Sequence, residues 1–95
     1  MANVTANVSV VSSIDDAQVD VYRNIRDADL RGRSHLCMVE SEMVVRRLLE
    51  SSWDIHSLFL SPQKYERMAS VIPSTVQVFV ADVTVMSEIT GFHIH

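Results

Sequence analysis

Four arginines fall within eleven residues of this chain: Arg23, Arg26, Arg31 and Arg33. A guanidinium presents paired N–H donors that match two oxygens of a phosphate, so such a cluster is a candidate phosphate-contacting surface. The plainer reading is a solvated helix face balanced by Asp27 and Asp29. Arg46 and Arg47 form a second basic pair, and Glu42, Glu50 and Asp54 are near enough in sequence to neutralise it. Glu40, Ser41 and Glu42 lie where a short apolar run gives way to a helical pattern. Free backbone N–H groups at such a junction can bind a phosphate or a base edge. Two carboxylates there repel phosphate. That leaves contact with a base or ribose, or simple capping of the helix.

Other side chains carry weaker signals. His93 and His95 share one face of a strand-like "FHIH", which suits a metal ion, but the sequence nominates no third or fourth ligand. Solvent-facing strand positions are the simpler account. Cys37 is the one cysteine, so neither a disulfide framework nor a cysteine-based zinc site can be built, and its apolar neighbours suit a buried thiol. Trp53 is the one tryptophan, read first as a packing residue and second as a base-stacking platform. The only glycines, Gly32 and Gly91, cannot make a phosphate-cradling loop. There is no G-x-S-x-G or H-E-x-x-H motif either. No catalytic, cofactor-binding or metal-ligating residue is therefore expected in this segment.

The elements that must position these side chains follow from periodicity. Ninety-five residues with 47% hydrophobic content suit one globular domain. Residues 1–14 are small, polar and β-branched, and read as a flexible leader or at most a short edge strand. "DDAQVDVYRNIRDADLRGR" reads as helix, with Val19, Tyr22, Ile25 and Asp29 at roughly helical spacing, Val21 widening the stripe, acids early, arginines late and Gly32 as its stop. "HLCMVE" is a short strand, and "SEMVVRRLLESS" a helix capped by Ser41. "DIHSLFL" is the next strand. Ser61 and Pro62 then start a helix that presents Tyr65, Met68, Ala69 and Ile72 on one face and ends by Pro73. "TVQVFVA" suits a strand covered on both faces. Asp82 caps a helix through "VTVMSEIT", Gly91 terminates it, and "FHIH" opens a strand that the pattern predicts to lead into further chain. Regular alternation of this kind predicts right-handed βαβ crossovers and a mainly parallel sheet between helices, an α/β fold.

The formal net charge of −4 weighs against strong autonomous nucleic-acid binding. No apolar run approaches the ~18–20 residues of a membrane span. The first 22 residues hold no Lys or Arg, unlike a secretory or mitochondrial leader. A cytoplasmic protein without membrane attachment is the expectation.

Taken together, "YRNIRDADLRGRSHLCMVESEMVVRRLL", "SLFLSP" and "VQVFVADVTVMSEITGFHIH" resemble the N-terminal substrate-binding domain of SpoU/TrmH-type RNA methyltransferases. The resemblance covers about three quarters of the chain, from Tyr22 to His95. In that family an arginine-bearing helix precedes a strand ending in Glu-Gly, then a second arginine-bearing helix. Glu40 matches the glutamate, and Ser41 stands where glycine is usual. "ITGFHIH" resembles the family's "ITGF-x-x-HRG", with His95 at the histidine.

The resemblance implies a three-layer α/β/α sandwich with a mainly parallel central sheet, similar to kink-turn-binding ribosomal proteins. It implies that residues 15–95 are an RNA substrate-binding domain positioning tRNA or rRNA. A following C-terminal knotted domain would bind S-adenosylmethionine, transfer its methyl group to a ribose 2′-hydroxyl and dimerise the full-length protein. Structured RNA is read largely through shape, phosphates and 2′-hydroxyls. Arg23, Arg26, Arg31 and Arg33, with Glu40 and Arg46 behind them, are the RNA-binding candidates. The alternative is a stand-alone α/β protein-interaction module, dimerising through a sheet edge without RNA affinity, which the negative charge slightly favours.

Overall fold

A computed structural model describes residues 7–23 and 41–91. Three short strands, β1 (Val8–Val10), β2 (Leu58–Leu60) and β3 (Val78–Val80), form a parallel sheet in the order β1-β3-β2. Val78 pairs with Val8 on one side and Leu58 on the other, and Val80 likewise with Val10 and Leu60. Single bonds extend the ladder at both ends, from Val78 N–H to the Asn7 carbonyl (2.8 Å) and from Val11 N–H to the Val80 carbonyl (2.7 Å). The α/β class with parallel strands is therefore present. Within residues 1–14, Val8–Val10 pairs with β3, so the edge-strand reading is the one that holds there.

Side chains alternate across a pleated strand, and here the alternation sorts the core into two clusters. Leu58, Leu60, Val78 and Val80 pack with Met68, and with Val45, Leu49, Tyr65 and Ile72 at the margin. Phe79 points the other way, into Val11, Val19, Tyr22, Ala81, Met86 and Ile89, with Phe59 packed against them. Apolar residues therefore cover both faces of β3. All three of its positions are buried, as its near-continuous apolar run predicts.

The first helical segment departs from expectation. Ala17–Tyr22 is a 3₁₀ helix with a kink at Val19, and Arg23 leaves it in an extended conformation (φ −76°, ψ 122°). A continuous helix from Asp15 to Arg33 thus breaks at Arg23. A 3₁₀ turn brings residues i and i+3 to the same side, which lets Val19 and Tyr22 enter one cluster together. The Arg23 guanidinium locks this turn by donating to the Ile14 and Asp16 carbonyls.

The later helices start and stop where local chemistry directs. The first α-helix, α1 (Glu42–Leu49), is capped by Ser41, whose hydroxyl accepts from Val44 N–H. Helix α2 (Pro62–Met68) is capped by Ser61, carries Pro62 in its first turn and tightens into a 3₁₀ turn over Ala69–Val71. Tyr65, Met68 and Ile72 meet the core as expected, whereas Ala69 is exposed, because the change of helical pitch after Met68 takes it out of the stripe. Helix α3 (Val83–Thr90) begins at Asp82, whose carbonyl, not its carboxylate, accepts from Met86 N–H at 2.9 Å. Gly91 ends α3 with φ 81°, a left-handed conformation in which a Cβ is disfavoured. The expected strands "HLCMVE" and "FHIH", with Gly32, Cys37, His93 and His95, lie outside the described residues. No helix among the described residues is long and apolar enough to cross a membrane.

Candidate functional site

Of the six RNA-binding candidates, Arg26, Arg31, Arg33 and Glu40 lie outside the described residues. Arg23 and Arg46 lie within them and sit in different settings.

Arg23 is committed to its own turn. Its Nε donates to Asp20 Oδ1 at 3.0 Å and its Nη2 to the Asp16 carbonyl at 3.1 Å, while Nη1 reaches the Ile14 carbonyl. A phosphate arriving there competes with bonds that hold the 3₁₀ helix together.

Arg46 belongs to a cluster spanning two helices. Glu42 divides its carboxylate oxygens: Oε2 accepts from Arg46 Nε at 3.1 Å, and Oε1 from Arg67 Nη2 at 2.6 Å. Arg46 Nη2 then donates to the Arg67 carbonyl at 3.4 Å, closing a ring between α1 and α2. The Glu42–Arg46 half is the i,i+4 pair that helical spacing allows, with glutamate N-terminal as that pairing prefers. Arg67 was not among the candidates, and linear spacing gives no sign of it, since it lies 25 positions from Glu42. Two guanidiniums share one carboxylate, so the cluster keeps a net positive charge. Arg47, beside it on α1, is exposed and makes no ion pair among the described residues.

The hydrogen bond from Arg67, seconded by that from Arg46, holds the Glu42 carboxyl below the usual carboxylate range. Its folded value lies below its unfolded one. The bridge therefore contributes stability above the ordinary carboxylate range, and that contribution is lost as pH falls through the lowered value. Denaturant unfolding should separate the native chain from Glu42→Gln at pH ~7, and the gap should narrow as the pH falls below the ordinary glutamate range. A gap of constant size across that range would show that the bridge is not formed in solution.

Trp53 is not the packing residue that a lone tryptophan suggested: 73% of it is exposed. It stands in the loop joining α1 to β2. Ser51 fixes this loop, its hydroxyl donating to the Leu48 carbonyl at 2.7 Å and accepting from Trp53 N–H at 3.1 Å. The indole helps line an open hollow of about 290 Å³, together with Leu48, Leu49, Asp54, Thr75 and Val76. The hollow lies at the amino ends of β2 and β3, because its loops lead into those strands. Ligands of open α/β sheets more often sit beyond the carboxyl ends. Here Ser61, at the carboxyl end of β2, is buried and used as a helix cap.

Among the described residues no group of His, Cys, Asp and Glu is placed to hold a metal ion. In comparisons with known proteins, no family model, no curated protein and no solved structure matches this chain.

Proposed function

We propose that this chain is the RNA-holding domain of a SpoU/TrmH-type 2′-O-ribose methyltransferase, with structured tRNA or rRNA as its partner. The observation that carries the reading is the Glu42-bridged pair of Arg46 and Arg67, with Arg47 beside it. It fixes guanidiniums from two helices on one surface, and planar donors held in place suit phosphate oxygens. The apolar clusters on both faces of the parallel sheet support the finer fold, a three-layer α/β/α sandwich like that of kink-turn-binding ribosomal proteins. Methyl transfer and S-adenosylmethionine belong, on this reading, to a following domain, which also dimerises the full-length protein. Its setting is cytoplasmic.

The test is a salt titration. A labelled tRNA transcript should bind the chain with an affinity that falls steeply as salt rises. Replacing Arg46 and Arg47 with alanine should flatten the logarithmic slope by roughly 0.7–0.9 for each phosphate no longer neutralised. The net charge of −4 favours the second reading, a protein-interaction module. A tight dimer in native mass measurements, indifferent to every RNA offered, would replace the first reading with the second.

A further inference from the structure

We infer that Trp53 and its hollow form a seat for one unpaired nucleobase of the bound RNA, an inference that rests on the RNA reading above. The indole is exposed, and the loop that carries it is tied down through the Trp53 backbone N–H to Ser51. Its ring N–H makes no hydrogen bond among the described residues. Asp54, in the lining, is exposed and forms no ion pair there.

The chemistry of the lining selects the occupant. An aliphatic side chain entering the hollow strips water from Asp54 and Thr75 and returns no hydrogen bond, which makes it a poor guest. A nucleobase offers a flat π-face to the indole and N–H donors to the carboxylate. Amine-bearing bases fit best, since uracil turns two carbonyls toward a charge of the same sign. An open hollow of about 290 Å³ has room for a base.

Because Trp53 is the one tryptophan, its fluorescence reports on this site alone. The probes are a single-stranded RNA of about eight nucleotides, within the span of ordinary single-strand sites, and an abasic oligoribonucleotide of equal length. Labelled RNA followed by anisotropy measures binding independently. The expected result is quenching of Trp53 by the base-bearing RNA and not by the abasic one, weaker for oligouridine than for oligocytidine. Trp53→Ala should weaken binding about ten-fold, Trp53→Phe should restore most of it, and Asp54→Asn should erase the preference for cytidine.

Binding by anisotropy without quenching, and unchanged by Trp53→Ala, would overturn the base seat and leave the RNA reading standing. No binding of any RNA would overturn both. Quenching by an apolar peptide and by no RNA would assign the hollow to a protein partner instead. Trp53→Ala is expected to fold, given the exposure of the indole, and Trp53→Phe keeps the test valid if it does not.

Discussion

Met68→Ala should lower the unfolding free energy by about 2–5 kcal/mol, the range for truncating a buried methionine. Met68 is 1% exposed and is the buried residue through which α2 meets Leu58, Leu60, Val78 and Val80. Truncation removes its thioether from the centre of that cluster, and the three-residue strands beneath offer little slack for collapse. Domains of this size are stable by roughly 5–15 kcal/mol in all, so the loss is a large share of the whole. Urea unfolding should show an earlier midpoint with an unchanged slope. Met43→Ala is the control, because Met43 is 66% exposed, and its effect should stay within about 0.5 kcal/mol. If the two substitutions cost the same, α2 does not pack on the sheet in the way described.

The second large effect belongs to the opposite face. Tyr22 is 8% exposed, lies 4.9 Å from Phe59 and 6.5 Å from Phe79 between ring centroids, and shares a 2.6 Å hydrogen bond with the Ser57 hydroxyl. Tyr22→Ala removes a ring from this group and should cost about 3–5 kcal/mol. Tyr22→Phe keeps the ring and loses the hydroxyl, at about 1 kcal/mol, since Ser57 retains a bond to His56 Nδ1.

The same tyrosine gives a pH signature. Burial pushes its phenol above the ordinary value, against the smaller pull of the Ser57 bond. The unfolded chain then gives up this proton first, so stability is retained below pH ~10 and lost as pH rises through the folded value. Tyr22→Phe should lack that alkaline loss. Equal alkaline slopes for Tyr22→Phe and the native chain would show that the phenol is open to water.

The two face clusters also bear on the proposed role. A surface that holds RNA for a neighbouring domain must not shift when it is loaded. The Glu42 bridge ties α1 to α2, and Met68 ties α2 to the sheet. Arg46 and Arg67 are thereby mounted on the core, whereas Trp53 is mounted on a short loop pinned by Ser51. The Arg46 and Arg67 side chains, fixed in this way, lose less freedom on binding, and that is the main saving a preorganised surface offers.

Most of the punctuation of this chain was legible from neighbouring residues. Ser41 and Ser61 as caps, Pro62 in the first turn, and Gly91 as the stop of α3 all act within one helical turn, so the residues that make the bond are adjacent in the chain. Short apolar runs likewise announced the strands, with β3 buried at all three positions, and the regular alternation of strands with helices announced that they run parallel. Other features depended on packing that no window of sequence contains. Asp15 to Tyr22 has the composition of an α-helix, yet the shared cluster drew Val19 and Tyr22 into a 3₁₀ turn that Arg23 then locked. Trp53 is apolar enough for a core, and the loop turned it outward. Arg67 became a partner of Glu42 only when α1 and α2 were laid side by side. Caps, stops and strand runs are short-range and mostly held, although the Asp82 carboxylate does not cap α3. Exposure and long-range ion pairs are set by which surfaces meet, and that is a property of the folded whole.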